Sequence, residues 1–259
     1  HALDSHRPGG SVVHRLDGRV KLVLTALFVV TTALTPDGAW SAYGLLAGIT
    51  LGVVIVSRLG WGFVQRRALV AAPFALAAVS IVFTTPGRVW LTIPVLGWNV
   101  VATDAGLVRF ASILLKSWLS VQMAVILTAS TPFQALLRAM RSLRVPPILV
   151  AIAGFAYRYL FVIGDEALRM MRARAARSGA AEGQGGGNVL WRARVTGGMA
   201  GNLFLRSIER SERIYDAMLA RGYDGEVRSL RSPVVRPADV LVALPFALAL
   251  VAIQVWIRW

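Results

Sequence analysis

Two short stretches each close a helical run on arginine followed by a small residue: Ala176-Arg177-Ser178 inside "MMRARAARSGA", and Ala220-Arg221-Gly222 inside "YDAMLARG". A guanidinium is a planar, permanently charged fork that grips a carboxylate through two parallel hydrogen bonds. Gly222 is a natural helix stop, and Ser178-Gly179 supplies one for the other run. Arginine in a last turn complements the negative end of the helix dipole, by about 0.3–1 kcal/mol. The alanine before it leaves room for a second surface to approach. One such end alone is ordinary helix design. Two in one mostly apolar chain point to a pair of charged tips that dock on acidic grooves of partners.

Other chemistries are missing from the sequence. The glycine run at 183–187 lacks the Lys-Ser/Thr of a phosphate loop, since Lys21 and Lys116 are the only lysines. ATP hydrolysis by this chain is therefore not expected. With no cysteine, there are no disulfides, thiolate metal sites or cysteine nucleophiles. His1, His6 and His14, with Asp4 and Asp17 nearby, lack tight ligand spacing, and a structural or interfacial role is expected rather than a metal site. No Ser-His-Asp set or carboxylate pair is legible. The expectation is a non-enzyme that holds no cofactor and no metal of its own.

The elements that would position the tips follow from composition. The chain is 56% hydrophobic with net charge +15, and its mean hydropathy of +0.61 is that of a membrane protein. In a soluble protein such basicity would suggest nucleic acid; here the cytoplasmic loops of a membrane protein account for it. No signal peptide is visible in the polar opening "HALDSHRPGG", and with His1 rather than Met at the start a few leading residues are expected to be missing or removed.

Apolar runs lie at about 22–35, 39–57, 68–84, 105–129, 148–164 and 238–257. "TPDG" joins the first two as a helical hairpin. "TTPGRVWLTIPVLGWNVVATD" reads instead as a short β-like loop at the membrane interface. Arg7, Arg15, Arg19 and Lys21 before the first run, and Arg58, Arg66 and Arg67 after the second, place the N-terminus in the cytoplasm. Arg158 interrupts the fifth run, at a cost of about 2.5–3.5 kcal/mol at a bilayer centre. That run is expected to lie along or dip into the membrane. The fold class is thus an all-α integral membrane protein with about five transmembrane helices. Residues 1–130 would hold four spans, 131–236 a cytoplasmic set of coupling helices, and 237–259 the last span.

Within the cytoplasmic part, Thr131 and Pro132 start a helix that Pro146-Pro147 stop. A longer helix is expected over about 148–177, a break at "GAAEGQGGGN", and another helix from about 191 or 200 to 221. Phe204, Ile208, Ser211, Tyr215 and Met218 form an apolar stripe there, opposite Arg206, Arg210 and Arg213, with Glu209 placed to pair with Arg213. Leu168, Met171 and Ala175 make a comparable stripe, so the two helices are expected to cross.

At these residues the chain resembles the T component of energy-coupling factor (ECF) transporters, the CbiQ/EcfT family. The match lies in "ARS" at 176–178, "ARG" at 220–222, and "RYLFVIGDEALRMMRARAARS" with Arg158, Glu166 and Arg177. "TPFQALLRAMRSLRVP" resembles the family's first coupling helix. "SVVHRLDGRVKL" resembles the opening pattern of its cobalt-associated CbiQ branch. Ser178 stands where glycine is more usual. The resemblance implies a multi-pass subunit of the bacterial inner membrane. Its tips would join two ATP-binding cassette subunits (CbiO-like, carrying the ATP and Mg) to a CbiM-like substrate-binding membrane subunit, with a small CbiN-like one in some systems. Arg158 and Glu166 would support the coupling helices. Cobalt is the implied cargo, with nickel as a variant. The competing reading is a membrane-anchored basic module binding anionic lipid or nucleic acid. It explains the charge but not the repeated tip, so membrane lipid is expected as a neighbour and nucleic acid is not.

Overall fold

The computed structural model describes residues 7, 9–95, 98–178, 188–225 and 237–258. It divides into two compact units, His1–Ser142 with Pro233–Trp259, and Leu143–Ser232. The protein is an all-α membrane protein whose described residues include one antiparallel hairpin, where the interfacial β-like loop is expected.

The first unit begins with Ser11 capping a single turn, α1 (Val12–Arg15). Asp17 then caps α2 (Gly18–Leu34) by accepting from the Arg19 backbone N–H at 2.8 Å. Pro36 and Gly38, the latter at φ +83°, turn the chain into α3 (Trp40–Ser57). Next come α4 (Trp61–Ala68), a 3-10 turn at Leu69–Ala71, and α5 (Ala72–Thr84). The 3-10 turn stands where Pro73 removes an N–H from the ladder, so one apolar run is split. β1 (Val89–Val95) pairs with β2 (Trp98–Thr103), with a register irregularity between Val89 and Leu91. Thr103 caps α6 (Asp104–Ser130), accepting from Gly106 N–H at 3.1 Å and donating to Thr85 O at 2.8 Å. A Cβ on Gly106 would lie 2.6 Å from the Val82 carbonyl oxygen, so only glycine admits this approach of α5 to α6. α7 (Phe133–Ser142) packs on the start of α2, and α10 (Pro237–Arg258) closes the unit against α2 and α3.

Phe28, Leu46, Val64, Leu119, Met123 and Leu250 form its core. Buried hydroxyls are satisfied within their own helices: Thr32 donates to Phe28 O, Thr50 to Leu46 O and Ser112 to Val108 O, each at 2.8–2.9 Å. A bilayer offers no water to do this. The buried Lys21 Nζ donates to Ser130 O at 3.1 Å, Thr131 Oγ1 at 3.0 Å and His14 O at 3.4 Å, fastening the start of α2 to the end of α6. His14 is structural as well. Its Nε2 donates to Arg7 O at 3.1 Å, which leaves Nδ1, in the neutral ring, to accept from the Ser11 hydroxyl at 2.7 Å.

The second unit consists of two long helices, α8 (Pro147–Ser178) and α9 (Val189–Leu219). By length and composition, α3, α6, α8 and α10 can each cross a membrane. At 17 residues α2 is marginally shorter, and α5 reaches spanning length only together with the turns before it. The glycine-rich break expected between α8 and α9 lies outside the described residues.

Candidate functional site: two arginine-tipped helices

α8 starts on Pro147, a residue suited to a first turn, and α9 on Asn188, whose extended φ/ψ (−66°, 157°) is that of an N-cap. The pair is antiparallel. Going backwards along α8 and forwards along α9, Arg174 lies over the Trp191 ring at 5.7 Å, and Glu166 accepts from Arg206 at 2.9 Å. Further on, Phe155, Tyr159 and Ile163 face Ile214, Tyr215 and Met218 across a groove of about 560 Å³.

Glu166 is the junction of the pair. One carboxylate oxygen receives Arg206 from α9, and the other receives Arg169, one turn along α8. Its side chain is 15% exposed, against 62–63% for the two arginines. A largely shielded carboxylate held by two guanidinium groups fixes the height at which the helices meet.

The packing faces differ from the expected stripes. On α9 the shielded positions are Leu203, Ser207, Arg210, Ile214 and Met218, while Phe204, Ile208, Ser211 and Tyr215 are exposed. On α8 Leu168 and Met171 are each 51% exposed, and the inner face runs through Tyr159, Ile163, Glu166, Met170 and Arg174. The shielded face lies about one residue round α9 from the expected one, and in that orientation Arg206, still 63% exposed, reaches Glu166 from the edge of the contact. The Glu209–Arg213 pair expected from spacing is not among the ion pairs of the described residues. Sequence reasoning thus missed Arg206 and Trp191 as contacts. Their signal was the acidic Asp165-Glu166 step in the middle of an otherwise basic α8, and the one tryptophan of α9.

The tip residues are exposed among the described residues. Ala176 and Arg177 are exposed at the end of α8, whose last residue is Ser178. Ala220, Arg221 and Gly222 are exposed after α9. Gly222 sits at φ +79°; its N–H reaches Leu219 O at 2.9 Å, and the Tyr223 N–H reaches Met218 O at 3.0 Å. These two bonds make a Schellman stop with Arg221 as the C-cap residue. Because the helices are antiparallel, Arg177 and Arg221 point to opposite ends of the pair. At 1.5 Å per residue they stand about 16 Å and about 22 Å beyond the Glu166–Arg206 contact along their own helices. Arg158 lies exposed on α8, two turns before Glu166, and is not drawn into that contact.

Across residues 9–232 the chain matches the family model CbiQ, described as cobalt transport protein. This chain belongs to the CbiQ family. Among its curated relatives, the energy-coupling factor transporter transmembrane protein EcfT of Lacticaseibacillus paracasei is 28% identical, over 86% of this chain and 85% of its own. The EcfT protein of Acidaminococcus fermentans is 28% identical over 99% and 96%. The cobalt transport protein CbiQ of Rhodobacter capsulatus is 29% identical over 77% and 78%. As a family member the chain is the membrane component of a transporter, in keeping with the four helices, α3, α6, α8 and α10, that are long and apolar enough to cross a membrane. The matched region includes α8, α9 and both tips.

Proposed function

We propose that this chain is the transmembrane coupling subunit of an energy-coupling factor importer for a transition-metal ion, with cobalt as cargo. Two ATP-binding cassette subunits (CbiO-like) would each receive one tip, Arg177 or Arg221, in an acidic groove. A CbiM-like membrane subunit would hold the ion, with a small CbiN-like one beside it in some systems. ATP and Mg belong to the ATPases. When ATP draws these together, the tips move, and the Glu166–Arg206 contact makes α8 and α9 shift as a coupled pair. Their exposed apolar side chains, including Phe204 (66% exposed) and Leu205 (59%), offer a contact through which a membrane partner is reoriented. In this reading the protein sits in the bacterial inner membrane with its N-terminus and coupling helices on the cytoplasmic side.

One observation carries the reading: an antiparallel, ion-paired helix couple with a slim arginine end at each extremity. A diffuse basic surface for lipid or nucleic acid needs neither the Schellman stop nor the opposed tips. Cobalt is favoured by the name of the Rhodobacter relative and by the opening pattern, in which Ser11, His14, Asp17 and Lys21 all have structural work. The test is to express the chain with its genomic neighbours, purify it, and identify what stays bound. Two ABC ATPases and a metal-binding membrane protein are expected, with uptake of labelled cobalt that excess nickel competes poorly. Purification with no ABC ATPase under gentle conditions would defeat the proposal.

A further inference from the structure

The first unit contains a second concavity that coupling does not use. It measures about 360 Å³ and lies among α1, α2, α3, α6 and α10. Its walls are apolar, with Val13, Leu24, Ile49, Met123 and Phe246 inside. Lys21 contributes only its aliphatic stem, because all three ammonium protons are directed to His14 O, Ser130 O and Thr131 Oγ1. The mouth is marked by lining residues that are themselves exposed: Val12 at 55%, Val56 at 49% and Val242 at 42%. Water gains nothing in such a cavity, and an empty one forfeits dispersion contacts along its whole lining. In a membrane the neighbouring solvent is acyl chain, so a lipid tail is what fills it.

The rim says which lipid. Arg15 ends the one-turn helix whose Val12 and Val13 line the cavity, and Arg58 is the C-cap of α3, two residues after Val56. Both are exposed, and neither has an ion pair among the described residues. The same end of the unit carries Arg7 and Arg67, each lying over the Phe63 ring, at 4.0 and 4.7 Å. The carboxylates there are engaged inward: Asp17 caps α2, and Asp239 is buried. We infer that this cavity is a binding site for one anionic phospholipid, its tail between α1, α3 and α10 and its phosphate between Arg15 and Arg58. Bound there, the lipid would brace the short α1 turn that carries His14 and its bond to Arg7.

The test is native mass spectrometry of the full chain in detergent, offered phosphatidylglycerol and phosphatidylcholine with identical tails. Retention of phosphatidylglycerol is expected to be favoured by roughly fivefold for each arginine near the headgroup. Arg15→Gln and Arg58→Asn, the second chosen because asparagine tolerates the left-handed backbone at that position (φ 53°), should each erode the preference. A Cβ on Gly52 meets nothing within 4 Å, so Gly52→Leu can start a side chain from a cavity-lining position, and Val56→Phe adds bulk at the mouth. Both should lose retained lipid of either kind while eluting as the parent does. If one variant fails to elute so, the other decides. Equal retention of the two lipids by the parent chain overturns the inference. So does undiminished retention in the cavity-filling variants, or displacement of the lipid by inorganic phosphate alone.

Discussion

Glu166 of α8 accepts a hydrogen bond from Arg206 of α9 at 2.9 Å, forty residues later in the chain, and this contact sets the register of the two tipped helices. Arg169 shares the same carboxylate from within α8. The two arginines therefore have different duties, although they look alike in sequence. Arg206 joins helices, whereas Arg169 only orients the acid.

Arg206→Ala should thus uncouple ATP hydrolysis from uptake more than Arg169→Ala does. A loss of roughly two- to fivefold in uptake per ATP is expected for Arg206→Ala, in line with an exposed ion pair. Arg169→Ala should stay near the parent value. The measurement is transport per phosphate released in vesicles containing the assembled transporter. Equal effects would mean that the carboxylate acts through α8 alone.

Gly222→Ala tests the stop that presents Arg221. An alanine at φ +79° costs about 1–2 kcal/mol and has nothing nearby to compensate it. Amide exchange at Met218 to Tyr223 should accelerate about tenfold, while α8 keeps its protection. Unchanged exchange would show that the Schellman bonds do not hold the tip.

Lys21→Met removes the donor that serves Ser130 O and Thr131 Oγ1 in a buried position. Leaving buried acceptors without partners should cost about 1–3 kcal/mol. The unfolding midpoint of the detergent-solubilised chain is expected to fall. The tips lie in the other unit, so ATPase retention at low temperature should survive. A fall in retention without a fall in stability would give Lys21 a role beyond fastening α2 to α6.

Topology gives a fourth check. A reporter inserted between α8 and α9 is expected in the cytoplasm, and one fused after Trp259 in the periplasm. The reverse for the inserted reporter would place the tips away from any ATPase.

Much of the fold is legible because apolar runs and their caps are one-dimensional information. The run at 39–57 becomes Trp40–Ser57, 105–129 becomes Asp104–Ser130, and 148–177 becomes Pro147–Ser178. The hairpin is legible from alternation between Pro and Gly signals. The run at 68–84 was less so, because Pro73 breaks the ladder inside it and only the structure shows the 3-10 turn. Packing within the second unit was not legible. α9 carries large apolar side chains on two adjacent faces, so periodicity alone cannot choose between Phe204/Ile208/Tyr215 and Leu203/Ile214/Met218. The face that packs is the one matched by α8, and the Glu166–Arg206 contact that accompanies it joins two helices, which no spacing within one helix reveals.

The most direct test of the two-tip account is reversal of the tip charges in the assembled transporter. Arg177→Glu and Arg221→Glu are compared with Arg194→Glu and Arg213→Glu, which change net charge equally from exposed positions away from the tips. Breaking a buried charge pair at a docking groove commonly costs 3–5 kcal/mol, a loss of roughly a hundredfold or more in affinity. Each tip variant should shed ATPase during purification and lose ion uptake, the double variant should do worse, and both controls should stay near the parent. If all four substitutions weaken ATPase retention to the same degree, the arginines act as a diffuse basic field and the tips carry no special coupling.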